Sequence, residues 1–202
     1  MSALLIESHY FPSIAYFHEI IKYDTIVLDD TENFTKQTYR NRAVILGANG
    51  KLNLVIPMDH HSKRSMSDIK VNYREGWDRI HRKSIESAYR KSPYFDYYGE
   101  EIIETLCRKE TSLFAINYDI LTTLFELLSL PQKILKKSDV EINDLVNLRN
   151  TISPKKKDRL YQFEPYHQVF GSVFTENLSI LDLVFSLGPE TALYLKSGIS
   201  SK

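Results

Sequence analysis

The fold is decided by residues 4–30, which read LLIESHYFPSIAYFHEIIKYDTIVLDD. The apolar run at 4–6 stops at polar residues, and Pro12 then stands where the first turn of a helix accepts proline. Apolar residues next recur at helical spacing, and the β-branched run at 25–28 follows them. The stretch predicts a strand, a helix and a second strand, which is a βαβ unit with parallel strands and a right-handed crossover.

The residues that follow this unit predict a hairpin and a set of helices. Residues 44–58 alternate like two strands around the turn Gly47-Ala-Asn-Gly50, and we expect a further strand at 69–73. The apolar spacing predicts helices over 77–91, 94–108, 111–129, 179–187 and 190–196.

These elements predict an α/β fold, in which a mixed sheet begun by the N-terminal βαβ unit is joined by a β-hairpin and covered by helices. The whole chain, residues 1–202, has the length of a single domain. Residues 131–160 are rich in lysine and weakly periodic, so we expect an irregular, mobile connection there.

Composition narrows the possible functions. The 26 basic and 26 acidic residues cancel, so no overall field attracts nucleic acid, and we expect no nucleic-acid partner. No apolar run reaches the roughly 18 residues that span a bilayer, and the first residues lack a signal-peptide pattern. The single cysteine, Cys107, excludes an internal disulfide and is expected to be a buried, inert thiol. These features predict a cytoplasmic protein without a membrane span.

Polar residues follow both strands of the predicted βαβ unit, whose carboxyl ends lie at one edge of the sheet. His9 can transfer a proton near neutral pH, and Tyr10 beside it can stabilise an oxyanion. Asp30 or Asp29, after the second strand, can orient a catalytic group. We therefore predict a catalytic site of His9, Tyr10 and Asp30. Alternatively, Tyr10 packs beneath the sheet and His9 is a surface residue.

A cationic segment follows the second strand and is the sharpest candidate for substrate binding. It contains Lys36, Tyr39, Arg40, Asn41 and Arg42. Guanidinium groups bind phosphate or carboxylate through paired hydrogen bonds, and in an extended segment Arg40 and Arg42 point to the same face. The alternative is that they form structural salt bridges with Asp29, Asp30 or Glu32.

Three further residues are candidate substrate contacts. Trp77 and His81 lie four positions apart on a predicted helix, where together they could stack a sugar or a base. Packing of that helix against the sheet is the simpler interpretation. Gln168 lies in a polar string near the C-terminus, ahead of Ser179 and Asp182, which we expect to cap a helix.

Other chemistries lack their motifs. No serine lies in a Gly-x-Ser-x-Gly elbow, and no glycine-rich loop of the dinucleotide or ATPase type is present, so the sequence indicates no particular cofactor. His60 and His61 are adjacent and lack the spacing of metal ligands, so we predict no metal site.

Several short strings, taken in order, resemble the WbqC-like family, found in bacterial surface-polysaccharide gene clusters and without an established activity. They are His9-Tyr-Phe-Pro12 with Tyr16-Phe17, Tyr39-Arg-Asn-Arg42, Leu54-Val-Ile-Pro57, Trp77, His81, Ser84, Ala88-Tyr89, Pro93, Tyr166-His-Gln168 and Leu178-Ser-Ile-Leu-Asp182. The chain carries Glu7-Ser8 where many members have Gln-Pro.

The resemblance implies a role in assembly of O-antigen or related glycans. Our leading hypothesis is a cytoplasmic transferase-like enzyme acting on a small anionic activated precursor, such as a nucleotide-sugar or an acyl or aminoacyl donor. The alternative is a non-enzymatic binding or scaffold protein of a glycan-assembly complex. Its protein partner would contact the aromatic residues Tyr94-Phe95 and Tyr97-Tyr98.

Overall fold

The computed structural model describes residues 2–59, 65–141, 144–155 and 161–201, in eight strands and six α-helices. The strands are β1 (Ala3–Ile6), β2 (Thr25–Leu28), β3 (Arg42–Gly47), β4 (Gly50–Val55), β5 (Lys133–Lys136), β6 (Leu145–Asn147), β7 (Tyr161–Phe163) and β8 (Ile199–Ser201). The helices are α1 (Ile14–Ile20), α2 (Trp77–Tyr89), α3 (Phe95–Cys107), α4 (Leu113–Leu127), α5 (Ile180–Leu187) and α6 (Thr191–Ser197). The predicted α/β class is confirmed.

The central sheet has four strands in the order β5-β2-β1-β6, and every pairing in it is parallel. The predicted βαβ unit is confirmed, because β1 pairs in parallel with β2 across α1. Helix α1 begins at Ser13, whose side chain accepts a hydrogen bond from the Tyr16 amide. The apolar side of this short helix is buried almost completely, which holds the unit together.

The strand order places a switch point between β1 and β6. The chain leaves β1 toward β2 on one side, and it returns from β5 to β6 on the other side. In open parallel sheets the loops diverge at such a point and leave a crevice at the carboxyl ends of the strands. The loops after β1 and β6 are therefore the natural place for a ligand.

Residues 131–160 contain two strands that the sequence pattern did not predict. β5 and β6 are the two edges of the parallel sheet, with four and three residues. Most of their residues are half-buried or exposed, and β5 begins and ends with lysine, so neither strand shows the apolar run of a buried parallel strand. The expected strand at 69–73 is replaced by isolated bridges, from Val71 to Met58 and from Lys70 to Ser112.

The predicted hairpin is confirmed as a separate two-stranded antiparallel sheet. β3 and β4 pair from Arg42–Val55 to Gly47–Gly50, and Gly50 has a φ of 101°, which favours glycine. One further antiparallel pair joins β7 to β8. Through β3, the hairpin packs on α2 and α5.

The five predicted helices are confirmed within a few residues as α2 to α6. The N-terminus of α5 is capped by Ser179, as expected, and Gly188 and Pro189 end the helix. Cys107 is exposed at the end of α3, so the expectation of a buried thiol was wrong. Within the described ranges, no helix is both long enough and apolar enough to cross a membrane.

Buried hydrophobic residues from β1, α1, the hairpin and all the later helices form one connected cluster. Ser179 connects this core to the loop after β1. Its hydroxyl donates to the Phe11 carbonyl at 3.0 Å and accepts from the Leu181 amide at 3.3 Å. Its own amide donates to the Val44 carbonyl of β3 at 2.7 Å.

We expect Ser179→Ala to lower the free energy of unfolding by about 1–2 kcal/mol, because a buried helix cap and the partner of a buried carbonyl are both lost. The matched control is Ser197→Ala in α6, an exposed serine, which should change stability by less than about 0.5 kcal/mol. Urea unfolding measures both. Equal effects of the two substitutions would contradict this assignment.

Candidate active site at the carboxyl edge of the parallel sheet

Each strand of the parallel sheet is followed by polar residues at its carboxyl end. They are Glu7 and His9 after β1, Asp29 and Asp30 after β2, Lys137 and Ser138 after β5, and Arg149 and Asn150 after β6. We call this set the carboxyl-edge cluster. Hydrogen bonds connect its members across the strands, so the edge is a polar network rather than a row of separate side chains.

The centre of the cluster is a buried pair of Glu7 and His9, which are 1% and 2% exposed. The His9 Nε2 atom lies 3.3 Å from Glu7 Oε1, and the backbone amide of Asn150 donates to Glu7 Oε2 at 2.9 Å. The Tyr16 hydroxyl donates to the Glu7 carbonyl at 2.8 Å. Within the described residues, His9 Nδ1 is buried and has no hydrogen-bond partner. A polar atom left in that state is a candidate contact for a substrate.

Glu7 remains a carboxylate despite its burial. Burial by itself raises the pKa of Glu7, but the hydrogen bond from His9 and the charge of Arg40 outweigh it and lower the pKa below its ordinary value. An ionised carboxylate that accepts from Nε2 holds the imidazole ring in one orientation. The pair therefore has the arrangement of a proton-transfer group and its orienting acid.

Arg40 lies beside this pair and is 1% exposed. Its Nε and Nη2 atoms donate to the two carboxylate oxygens of Glu32 at 2.7 and 2.8 Å, and Nη2 also donates to Asn150 Oδ1 at 2.9 Å. The Arg40 carbonyl accepts from Asn117 Nδ2 at 2.8 Å. These contacts fit the alternative that the sequence allowed, a structural salt bridge to Glu32.

Asp29 holds two cations at the outer side of the cluster. Lys137 Nζ lies 3.1 Å from Asp29 Oδ2, and Arg149 Nη1 lies 2.5 Å from the same oxygen. Burial raises the pKa of Asp29, but the hydrogen bonds it accepts bring the pKa below its ordinary value. The Lys137 and Arg149 side chains are 38% and 31% exposed. A buried carboxylate thus orients two cations that remain accessible to an anion.

The loop after β1 also carries backbone strain. Phe11 has a φ of 37°, a left-handed conformation that is rare for an aromatic residue and unfavourable before Pro12. Such conformations cost about 1–3 kcal/mol and concentrate at functional sites. The strained residue is two positions from His9, which supports a functional role for this loop.

The residues of the predicted substrate-binding segment differ in exposure and position. Lys36 is exposed, Arg40 lies in a turn, and Arg42 is the first residue of β3 and is half-buried. The side-chain amide of Asn41 donates to the backbone carbonyl of Ile56 at 3.0 Å, which connects the segment to the end of the hairpin. Tyr39 packs near His9, with ring centroids 5.5 Å apart.

Tyr10 points away from the carboxyl-edge cluster and contacts the other two predicted residues. Its hydroxyl lies 2.8 Å from His81 Nδ1, and the His81 and Trp77 rings are 5.1 Å apart. Burial lowers the pKa of His81 to about 4, so His81 is neutral at physiological pH. Trp77 and His81 are 3% and 4% exposed. Their rings therefore pack against the loop after β1, the simpler of the two interpretations.

Gln168 belongs to a second buried polar cluster, around Asp182 of α5. Tyr166 and Gln168 donate to Asp182 Oδ2 at 2.6 and 2.8 Å, and the Gln168 amide also bonds the backbone of Thr175. Asp182 thus binds side chains rather than capping its helix. Burial raises the pKa of Asp182. Its hydrogen-bond partners Tyr166 and Gln168 are neutral, so they do not outweigh the effect of burial.

Sequence reasoning missed Glu7, Lys137, Arg149 and Asn150 as site residues. Glu7 directly follows β1, so, like His9, it is a polar residue at the end of a predicted strand. The same sequence signal could therefore have identified it. The other three lie in residues 131–160, where no periodicity showed that strands end at Lys136 and Asn147. Among the residues that the structure describes, no three His, Cys, Asp or Glu side chains form a metal-binding group. His60 and His61 lie outside the described residues.

The motifs at the strand ends have a counterpart among known proteins, because the WbqC-like protein family matches residues 7–160. The chain belongs to this family. The WbqC-like chain is also 24% identical over 224 residues to the uncharacterized protein Rv1507c of Mycobacterium tuberculosis (strain ATCC 25618 / H37Rv). That alignment covers 95% of this chain and 96% of the relative. No solved structure matches the chain.

We expect Glu7→Gln to lower the free energy of unfolding at pH 7 by about 1–3 kcal/mol, because hydrogen bonds to a charged group are lost. The stabilisation by Glu7 is complete above the unfolded pKa of 4.5 and disappears as the pH falls through the lower folded pKa. Urea unfolding from pH 7 to pH 3 should therefore show the difference shrinking. A difference that stays constant would contradict the ionised state of Glu7.

Asp182→Asn should show the opposite pH dependence. The folded pKa of Asp182 is raised, so its contribution to stability is greatest below the unfolded pKa of 3.8 and is lost as the pH rises. The stability of the variant relative to the natural protein should increase from pH 3 to pH 7. The same urea series measures it, and a relative stability that falls with pH would refute the raised pKa.

Proposed function

We propose that this protein is a transferase-like enzyme that acts on a small anionic activated precursor at the carboxyl edge of the parallel sheet. The observation that carries the proposal is the buried Glu7–His9 pair, which leaves the His9 Nδ1 atom without a partner. Glu7 follows the strand beside the switch point, where α/β folds bind ligands. His9 is the proton-transfer group, and Glu7 orients it.

In the proposed reaction, a hydroxyl or amine of the acceptor attacks the activated group of the donor. The proton of the acceptor moves to His9 Nδ1, while Glu7 holds the proton on Nε2 and stabilises the imidazolium. The bond to the leaving group then breaks, and the leaving group departs with the bonding electrons. His9 afterwards returns its proton to the leaving group or to water.

The ring of His9 is covered by the rings of Tyr16 and Tyr39, at centroid distances of 4.5 and 5.5 Å. The His9 side chain is fully buried, so substrate reaches Nδ1 only when the Tyr39 ring moves aside. Residues 31–41 contain no helix and only a single bridge, and we propose that within this segment the Tyr39 side chain moves. Closure over the substrate would then exclude water from the reacting atoms.

We assign the binding of the anionic group to Lys137 and Arg149 rather than to Lys36, Arg40 and Arg42. Both are held by Asp29, and both are partly exposed at the edge where β5 and β6 end. Arg40 is already bonded to Glu32 and Asn150, so we give it a positioning role. An anion between the two accessible cations would lie next to the loop that carries Asn150, the partner of Glu7.

Family membership supports surface-glycan assembly, of the O-antigen type, as the biological setting of this proposal. Activated donors in such pathways carry phosphate or carboxylate groups, which two adjacent cations suit. The proposed substrates are therefore nucleotide-sugars or acyl or aminoacyl donors. We propose the cytoplasm as the location of the reaction.

A scaffold function rests on a weaker surface. Tyr97 is 72% exposed, but Tyr94, Phe95 and Tyr98 are half-buried. Phe95 packs on Phe185 with ring centroids 5.2 Å apart. One exposed tyrosine is a smaller contact than the flat aromatic patch that a scaffold would present. The enzyme proposal is therefore the one that the geometry supports better.

The first test is thermal stabilisation by nucleotide-sugars, nucleotides, phosphosugars and acyl or aminoacyl donors. A ligand at about 100 times its Kd adds about 2.7 kcal/mol of stability. We expect one class to raise Tm, and Lys137→Ala with Arg149→Ala to abolish the rise. The matched control, Lys133→Ala at the other end of β5, should keep it. If no class stabilises the protein, the enzyme proposal fails and protein partners become the alternative.

With the donor class identified, we expect His9→Ala to lower turnover by about 100-fold or more, because a general base contributes roughly 10²–10⁴-fold. The matched control is His167→Ala, an exposed histidine, which should leave turnover unchanged. The measurement is release of the leaving group under single-turnover conditions. A loss of less than about tenfold on replacing His9 would remove its proposed role.

A further inference from the structure

The hairpin leaves one long edge of its two-stranded sheet open. The backbone carbonyl of Asn41 accepts from the backbone amide of Ile56 at 2.9 Å, so these two residues form a hydrogen-bonded pair. From this pair toward Gly50, the residue pairs between β3 and β4 are alternately non-hydrogen-bonded and hydrogen-bonded. The main-chain groups of Lys51, Asn53 and Val55 therefore face away from β3. Within the described part of the chain, those of Lys51 and Asn53 on this edge have no hydrogen-bond partner. Such an edge is a template for another strand.

A groove runs beside this edge, between β4 and α2. Its volume is about 390 Å³, and it is lined by Leu52, Asn53, Leu54, Val55, Pro57, Glu75, Trp77, Ile80, His81 and Ser84. Leu52, Val55 and Ile80 are 41%, 40% and 57% exposed, so the apolar side chains on both walls are accessible. His81 lies against the backbone of Val55 at one end of the groove.

A separate, basic pocket lies toward the hairpin turn from this groove. α2 runs antiparallel to β4, because His81 lies at Val55 and Tyr89 lies against the backbone of Leu46 near the hairpin turn. Toward the turn, a second pocket of about 390 Å³ is lined by Lys83, Glu86, Ser87, Arg90, Lys91 and Phe170. Glu86 is paired with Arg82, so the unpaired charge at this end is positive. Lys51 at the end of β4 is also exposed.

We propose that this groove binds an extended segment of a partner protein, which adds to β4 as an antiparallel third strand. Its apolar residues, at every second position, lie over Ile80, and its acidic residues lie in the C-terminal half, over Lys83 and Lys91. The main-chain groups of β4 give affinity, and the side chains of α2 give selectivity. This function does not depend on the proposed reaction.

A second copy of this chain fits the edge less well. Trp77, Ile80, His81 and Ser84 of α2 line the groove, so the helix lies close to the open edge of β4. A second hairpin paired on this edge would bring its own α2 to the same side of the joined sheet, and the two helices would meet in one space. A single extended strand brings no helix with it. The basic pocket toward the hairpin turn also attracts acidic residues, which β4 of a second copy does not carry.

The experiment begins with selection of random nine-residue peptides displayed on phage, using the full chain as bait and Ile80→Glu for counter-selection. We expect the enriched peptides to alternate apolar residues and to carry Asp or Glu in their C-terminal half. If no peptide prefers the natural protein over Ile80→Glu, the proposal is overturned.

The consensus peptide is then measured by fluorescence anisotropy. Ile80→Glu should weaken binding at least tenfold, and the matched control Leu193→Glu, at another exposed helical position, should leave it unchanged. Asn53→Pro should also weaken binding tenfold, because it removes a backbone N–H that points away from β3 and is not needed for the pairing of β3 with β4. The control Asn53→Ala keeps that N–H and should bind normally.

N-methylation of the peptide supplies a test that needs no variant of the protein. Methyl groups on alternate residues should abolish binding in one register and be tolerated in the other, because only one set of peptide N–H groups faces β4. Equal effects in both registers would overturn strand addition. Sedimentation velocity tests whether a second copy of the chain binds the edge instead. A concentration-dependent dimer that Asn53→Pro abolishes would assign the edge to a second copy and refute the peptide proposal.

Discussion

The burial of the Glu7 carboxylate is the constraint on which the carboxyl edge of this protein depends. A charge removed from water is tolerated only when other groups replace its hydration. Here the replacements are the His9 ring, the Asn150 amide and the nearby charge of Arg40. These groups come from the loop after β1, the loop after β6 and the turn before β3. One carboxylate therefore connects segments that are far apart in sequence.

The two buried acids of the protein show how the same residue type acquires different properties. Glu7 lies among cationic and hydrogen-bonding partners, and its pKa is lowered. Asp182 is bonded to Tyr166 and Gln168, which are neutral, and its pKa is raised. Burial acts in the same direction on both, so the difference comes from the charge of the neighbours. The charged acid suits the orientation of the His9 ring, and Asp182 suits a structural network.

Helix α2 has two faces with separate tasks. Its inner face buries Trp77 and His81 against Tyr10 and so supports the loop that carries His9. Its outer face exposes Ile80 beside the open edge of β4 and several cations near the hairpin turn. The hydrogen bond between Tyr10 and His81 connects this helix to the loop after β1.

By itself, the sequence determined the βαβ unit, the hairpin, five later helices and the placement of His9 at a sheet edge. Each of these follows from local periodicity, turn residues or caps, which act within a few residues. It did not reveal β5 and β6, because short edge strands rich in polar residues carry no apolar run. It left the partner of Arg40 open, and it gave no sign that Arg149 and Lys137 meet at Asp29. Only the tertiary structure decided these contacts, because a charge selects its partner by distance in space, and strand order sets that distance.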